Sequence, residues 1–449
     1  MKILFISLGC DKNLVDSEEM IGLLSKEGFT FTDDETEADV VVVNSCCFIN
    51  DAKEESINTI IEMASLKTEY VCKALIVTGC LAQRYKEEIQ KELPEVDAVI
   101  GTANYDNIVN VIKDVLAKKE SNKDSVLEID DRNFDLTRLP KLTKRIVTTG
   151  GHYAHLKIAD GCNKNCTYCI IPKIRGNYRS FPMEDLIAQA KELAAEGVKE
   201  LILVAQETTV HGIDLYGKKS LHILLRELCK IDGISMIRIM YCYPEEIYDE
   251  LIQTIKEEKK ICHYLDLPIQ HANDDILRRM GRRTNKEKLI NTINKLREEI
   301  PDIVLRTTLI SGFPGETEDA HNELLDFVDE MEFDRLGVFA YSPEEGTVAA
   351  SMDEQVDDEI KENRRDEIME LQQEIAFEKS QNMIGRELIA IIEGKIPAEN
   401  AYVARTYMDA PGVDGNIFIN TSEELMSGDF CKVKVTGSYE YDLIGEIIN

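Results

Sequence analysis

Three thiols set close together, Cys162, Cys166 and Cys169, are the side chains best suited to chemistry in this chain. Their spacing, three residues and then two, lets one short loop aim three thiolates at a single cluster. A four-iron–four-sulfur cube has four iron corners, and protein thiolates are its usual ligands. Three ligands leave one iron open to another molecule, whereas an electron carrier normally closes all four corners. The spacing therefore points to chemistry on a bound guest, against the competing readings of a zinc knot or coincidence.

A second set of thiols is dispersed. Three apolar, β-branched runs before residue 101, Lys2 to Leu8, Val40 to Val43 and Ala74 to Thr78, each lead into a cysteine: Cys10, Cys46 and Cys80. The intervals of 36 and 34 residues suit a strand, a helix and a return to a parallel strand. Ser17 to Glu27 and Lys53 to Leu66 supply the helices. Ligands of such sheets lie beyond the carboxyl ends of the strands, near the reversal in strand order, so these thiols are expected to converge. Cys47 should point away from Cys46, because neighbouring extended residues project to opposite faces. Cys72 starts its strand, at the opposite edge of the sheet. Both read as small buried apolar residues, as do Cys229, Cys242, Cys262 and Cys431, which share no ligand-like spacing.

The elements that must position these thiols fill 449 residues, enough for two or three domains. From about residue 148, six strand-like runs alternate with helical ones such as Met183 to Glu196 and Lys286 to Glu299. The runs are His155 to Ala159, Glu200 to Ala205, Met236 to Cys242, Tyr264 to Ile269, Ile303 to Ser311 and Arg335 to Tyr341. Six βα units suggest an open, partial barrel rather than the closed eightfold form. The Cys162 loop follows the first strand, at the carboxyl-end mouth. Gln206 and Glu207 end the second strand, and Gln270 and His271 the fourth. After the fifth come Gly312 and Gly315, glycines that let backbone approach a ligand.

Residues 353–380 read as a helix packing on the barrel, with Ile360, Ile368, Leu371 and Ile375 as its apolar stripe. After Gly385, turn-punctuated strands (Leu388 to Ile392, Ala401 to Arg405, Ile417 to Ile419, Phe430 to Val435) suggest a small five-stranded antiparallel β-barrel. The expected fold class is α/β. It comprises an N-terminal parallel-sheet domain at 1–117, a polar connector at 118–147, a partial (β/α)6 barrel at 148–378 and the small β-barrel at 381–448.

Composition sets the surroundings. No apolar run reaches the roughly 18 residues of a membrane span, and the apolar amino terminus reads as a buried strand rather than a signal peptide. Twelve cysteines without a secretory signal imply a reducing cytoplasm. The net charge of −32 favours a cationic partner over a phosphate backbone. Residues 381–449 hold eleven acidic side chains against five basic ones, which suits a basic protein better than an oligonucleotide. Arg278, Arg279, Arg282 and Arg283 form one basic patch, read as a solvated helix end or a contact for RNA or a target carboxylate.

Taken together, these motifs resemble the radical S-adenosylmethionine (SAM) methylthiotransferases over nearly the whole chain. The matching segments are Leu8-Gly9-Cys10, Asn44-Ser45-Cys46, Gly79-Cys80, the Cys162 loop, Arg306-Thr307-Thr308 and Gly312-Phe313-Pro314-Gly315-Glu316. Cys47 departs from the pattern, at a position that is usually not cysteine. The resemblance implies a radical-SAM core, a terminal barrel of the TRAM type and two 4Fe-4S clusters, one on Cys162, Cys166 and Cys169 and the other on Cys10, Cys46 and Cys80. It also implies S-adenosylmethionine on the first cluster, with Gln206, Glu207, Gly312 and Gly315 as cofactor-binding residues. One branch modifies a tRNA adenosine; another, the RimO type, modifies the β-carbon of an aspartate in small-subunit ribosomal protein 12. Tyr341-Ser342-Pro343-Glu344-Glu345-Gly346-Thr347 carries acids where the tRNA branch carries Arg-Pro, and the segment from Arg405 to Gly415 looks like the RimO tail motif.

In the implied mechanism, reductive cleavage of S-adenosylmethionine gives a 5′-deoxyadenosyl radical that takes hydrogen from the aspartate β-carbon. The second cluster holds the sulfur that is methylated and transferred. The implied partners are the basic ribosomal protein, free or in its subunit, a reductant and a sulfur donor, with no membrane and no tRNA. Methylthiolation of tRNA and a non-catalytic iron–sulfur electron carrier stay open as alternatives.

Overall fold

Val40 to Val43 are four consecutive β-branched residues, and all four are fully buried, as a parallel strand covered on both faces must be. In the computed structural model, which describes residues 1–120, 130–397 and 399–448, they lie at the centre of a five-stranded sheet. Its strands are β1 (Lys2–Ser7), β2 (Thr30–Phe31), β3 (Val40–Ser45), β4 (Ala74–Gly79) and β5 (Ala98–Ile100). All pairings are parallel, in the order β2-β1-β3-β4-β5. The chain leaves β1 to one side and returns to the other, so the strand order reverses between β1 and β3. The longer helices are Asp11–Lys26 and Asn50–Glu69, both longer than expected, and Ile108–Glu120, with the short Cys80–Arg84 and Lys86–Glu92 after β4. Residues 118–120 of the expected connector therefore belong to a helix, and residues 121–129 lie outside the described residues.

Contacts divide the chain into two units. The first is Met1–Thr148 with Lys157–Asn165 and Cys169–Gln189, and the second is Thr149–Leu156 with Cys166–Tyr168 and Ala190–Asn449. Buried charge explains why residues near 160–175 pack with the first sheet. Lys157 is fully buried and pairs with Asp16, with Asp160 at 3.8 Å. Arg175 reaches Asp160 at 3.1 Å and Asp16 at 3.0 Å. Ile170 and Ile174 join the core of the sheet, and Thr102 Oγ1 donates to the Ile174 carbonyl at 2.8 Å.

In the second unit, β6 (Tyr153–Lys157), all but its last residue in that unit, opens a six-stranded sheet. A short ribbon, β7 (Ala159–Asp160) with β8 (Arg179–Ser180), belongs to the first unit. The sheet continues with β9 (Glu200–Val204), β10 (Met236–Ile239), β11 (Ile261–Asp266), β12 (Val304–Ser311) and β13 (Arg335–Ala340), in sequence order. The ladders from β9 to β13 are parallel, as expected for a partial barrel. The strand expected at Tyr264 to Ile269 lies earlier, because Pro268 has no N–H for the ladder. The helix Asp358–Asn382 buries Lys361, Arg364, Ile368, Gln372 and Ile375. Ile360, expected on the apolar stripe, is instead 42% exposed, since it falls one residue off that helical face.

The tail is a closed barrel of β14 (Glu387–Lys395), β15 (Ala401–Arg405), β16 (Ile417–Asn420), β17 (Phe430–Tyr439) and β18 (Asp442–Ile447), in the order β14-β15-β16-β18-β17. It is not wholly antiparallel, because β16 and β18 run parallel. Parity requires this, since an odd ring of strands cannot alternate direction at every seam. One apolar cluster joins the tail barrel to Ile202, Met236, Tyr264 and Val304 of the six-stranded sheet. Within it, Glu200 binds Arg238 at 3.0 Å and Arg405 at 2.7 Å.

Two outcomes follow from the buried charges. Lys157→Met leaves Asp16 and Asp160 short of a cation and should cost about 3–5 kcal/mol, read from the urea midpoint of the first unit. Burial alone would raise the Glu200 carboxyl, but Arg405 and Arg238 hold it below the usual carboxylate range. Its contribution is therefore fully present above about pH 4.3 and disappears as pH falls through its lower folded value. Glu200→Gln should remove that part of the acid unfolding followed by circular dichroism.

Candidate iron–sulfur sites

Register places the dispersed cysteines. Ser7 pairs with Asn44 and Ser45 with Gly79, so β1, β3 and β4 end together and Cys10, Cys46 and Cys80 follow at one sheet edge. Cys10 caps the helix Asp11–Lys26, and Cys80 begins the helix Cys80–Arg84. Gly9 has φ +89°, and a Cβ there would sit 2.8 Å from Cys46 Cβ and 2.9 Å from its Sγ. Gly79, at φ +91°, is equally crowded by Asn44 and Ser45. Only glycine fits so close an approach.

Buried polar side chains lock the three loops. Asn13 Nδ2 donates to the Leu8 carbonyl at 3.1 Å and to the Ser45 carbonyl at 3.0 Å. Its Oδ1 accepts from Arg175 at 2.6 Å and lies 3.8 Å from Cys80 Sγ. Asn44 donates to the Asn13 carbonyl at 2.9 Å, and Ser45 to the Thr78 carbonyl at 2.5 Å. Ser56 Oγ accepts from the Cys46 N–H and donates to the Cys46 carbonyl, both at 2.9 Å.

Burial pushes the Cys46 thiol up, opposed by the Phe48 N–H and Arg175. Burial also pushes Cys80 up, opposed by Arg175. The Arg175 guanidinium thus favours thiolates at this edge. Cys47 and Cys72 lie in the apolar core, as expected.

Cys162 and Cys169 belong to the first unit. The Cys162 N–H donates to the Gly176 carbonyl at 3.1 Å, and Cys162 Sγ accepts from the Lys164 N–H at 3.4 Å. Cys166, in the second unit, is buried, with Sγ 3.8 Å from the Tyr243 hydroxyl. Thr167 donates its N–H to the Met280 carbonyl at 3.0 Å and its hydroxyl to the Arg279 carbonyl at 2.8 Å. Among the described residues no three His, Cys, Asp or Glu side chains close around a single metal ion. The fit to iron–sulfur clusters rests on thiol chemistry, the shared edge and the nearby guanidinium.

The remaining predicted residues lie in the second unit. Gln206 Oε1 is buried without a hydrogen-bond partner, whereas Glu207 accepts from Thr209. A Cβ at Gly312 would meet the Lys361 side chain at 2.2 Å, and one at Gly315 the Arg279 guanidinium at 2.4 Å. The chain's own side chains thus fill the space those glycines leave. Glu316 accepts from the Gly312 N–H at 2.9 Å and lies 3.4 Å from His271, which makes His271 a brace for that loop. The four arginines do not form one patch. Arg278 is exposed and pairs with Asp275, and Arg279 pairs with Glu354. Arg283 is exposed, but the Arg282 side chain is wholly buried, because the turn after the helix Asp274–Arg279 folds inward.

Family models match three stretches: the uncharacterized protein family UPF0004 at residues 2–101, the radical SAM superfamily at 156–328 and the TRAM domain at 384–448. A fourth, FeGP cofactor biosynthesis protein HcgB, guanylyltransferase, matches 82–163, which corresponds to no folded unit. The chain is 62% identical over 447 residues to a protein of Lachnoclostridium phytofermentans, covering 99% of each. It is 51% identical to one of Acetivibrio thermocellus and 49% identical to one of Clostridioides difficile, covering 100% of this chain and 98% and 99% of those relatives. All three are named ribosomal protein uS12 methylthiotransferase RimO. The chain belongs to the RimO family of methylthiotransferases, which are radical SAM enzymes.

Among solved structures, the radical S-adenosylmethionine methyltransferase TsrM from Kitasatospora setae aligns with TM-score 0.56 at 13% identity, over 75% of this chain and 72% of that one. The cobalamin-dependent S-adenosylmethionine radical enzyme OxsB aligns with TM-score 0.51 at 13% identity, over 82% and 56%. These likenesses concern the fold.

Asn13, Ser56, Arg175 and Tyr243 escaped the sequence reading, since each depends on a contact distant in sequence. The one available signal was Arg175, a charge directly after the apolar Ile170-Ile171-Pro172 and Ile174. Ser56→Ala should strip the Cys46 N–H of its acceptor and cost about 1–3 kcal/mol, seen as faster amide exchange at Cys46.

Proposed function

We propose that this chain transfers a methylthio group to the β-carbon of an aspartate in ribosomal protein uS12, in the cytoplasm, using two 4Fe-4S clusters and S-adenosylmethionine. The observation that carries this reading is full-length kinship, at 62% identity, to a protein named for that activity. Cys162, Cys166 and Cys169 hold one cluster, and Cys10, Cys46 and Cys80 hold the other. When bound, these groups supply the radical chemistry needed at a carbon–hydrogen bond that no side-chain base deprotonates at neutral pH.

The chain's own residues do the positioning. Asn13, Ser56 and Arg175 fix the strand-end loops, and the Arg175 guanidinium opposes the effect of burial on the Cys46 and Cys80 thiols. The unshared Gln206 oxygen, beside Glu207 after β9, offers an acceptor to a guest's N–H, whereas the space at Gly312 and Gly315 is taken by Lys361 and Arg279. Glu345, exposed in the segment Tyr341 to Thr347, and the tail's surface acids offer negative charge to a basic substrate. A reductant and a sulfur donor complete the reaction.

Among the described residues no helix is long and apolar enough to cross a membrane. The test is to incubate anaerobically reconstituted, reduced protein with uS12 and with tRNA, then weigh both for an added methylthio group. Mass gained on uS12, with iron falling from about eight to about four atoms per chain in the Cys10→Ala/Cys46→Ala/Cys80→Ala variant, supports the reading. Mass gained on tRNA alone, or full activity in that variant, overturns it.

A further inference from the structure

Arg282 is a buried guanidinium with capacity to spare. It has five N–H donors and no route to neutrality by losing a proton. Its Nη2 donates to Glu245 at 3.0 Å, and its plane lies over the Tyr243 ring at 4.4 Å. Its Nε and Nη1 are buried and find no acceptor among the described residues. Such donors are costly to leave unpaired away from water, so the site is built for an acceptor that the polypeptide does not itself supply.

The surroundings identify that acceptor. The Tyr243 ring beneath Arg282 ends in a hydroxyl 3.8 Å from Cys166 Sγ. The carbonyls of Arg279 and Met280, just before Arg282, hold Thr167, just after Cys166. In the first unit Arg175 is the contrast, with both terminal nitrogens engaged by Asp160, Asp16 and Asn13. Both terminal nitrogens of Arg175 have acceptors within the protein, whereas only Nη2 of Arg282 does.

We propose that Arg282 donates N–H groups of its two unshared nitrogens, Nε and Nη1, to sulfur atoms of the cluster held by Cys166, and that its charge raises that cluster's reduction potential. Hydrogen bonds to sulfur and net local charge are levers on such potentials. Reduction adds negative charge, which a fixed cation in a buried site stabilises. This inference rests on Cys166 being a cluster ligand.

The test is an EPR-monitored redox titration of the intact, anaerobically reconstituted chain, following the signal that changes when S-adenosylmethionine is added. Arg282→Gln keeps a donor and loses the charge, and should move the midpoint to more negative potential by at least a tenfold change in the reduction equilibrium, 59 mV for one electron. Arg282→Lys keeps the charge and should restore most of that shift. Full iron content with both midpoints unmoved overturns the proposal. Equal loss of iron and thermal stability in both variants also overturns it, since Arg282 would then only hold the fold. A wild-type chain that binds no such cluster, or Cys166→Ala that keeps it unchanged, sinks the ligand reading itself and is distinguishable from either result.

Discussion

Three neighbouring parallel strands that stop at the same level are the constraint on which the first unit depends. Strand direction and register put Cys10, Cys46 and Cys80 at one edge, where the order of the sheet reverses. An antiparallel neighbour would have sent one of them to the far edge. The cost of gathering three loops appears in the residues between them. Gly9 and Gly79 are glycines because a Cβ would strike Cys46 or Asn44. Asn13, Asn44, Ser45 and Ser56 are buried polar side chains whose hydrogen bonds replace the ladder where the strands end.

Buried charge does the second task, binding distant segments into one body. Arg175 and Lys157 meet Asp16 on the helix that follows Cys10, which fixes the segment after Cys169 to the same unit as the strand-end thiols. Well-packed apolar residues would often be at least as stable as such pairs, but they would specify position less sharply. The second unit uses the same device in its tail. Arg335 holds Asp409 at 2.6 Å, and Tyr264 donates to Asp414 at 2.7 Å. Two acids of the segment Arg405 to Gly415 are therefore spent internally. The tail's surface is less acidic than its composition suggests, and that segment acts as a plug in the sheet's core rather than as a free contact.

Much of this was legible in the sequence because period and spacing are local. The β-branched runs mark β1, β3 and β4, and the repeated strand–helix alternation marks β9 to β13. Even the return to a cysteine at each strand end could be read without coordinates. Short elements were not legible: Thr30–Phe31 and Ala98–Ile100 are strands only because a neighbour pairs with them. The parallel seam between β16 and β18 follows from ring closure, a property of the whole barrel that no segment carries. Arg282 was misread for a similar reason. Four arginines within six residues look like solvated charge, and only the inward turn after Arg279 separates the buried one from the rest.

The two buried guanidiniums show how far polar accounting can separate scaffold from site. A cation whose terminal nitrogens both meet protein acceptors has its role fixed by the fold, and Arg175 is of that kind. Arg282 is equally buried but keeps two nitrogens without a protein acceptor among the described residues. The unshared carboxamide oxygen of Gln206 belongs to the same class, as an acceptor without a donor. Both lie in the second unit, following strands of the six-stranded sheet, whereas the polar atoms that lock Cys46 are paired within the chain. The strand-end thiols thus sit in a frame that is complete without a guest. Gln206 and Arg282, by contrast, keep bonding capacity that the described polypeptide does not use, the contrast between a frame closed in itself and a site open to a ligand.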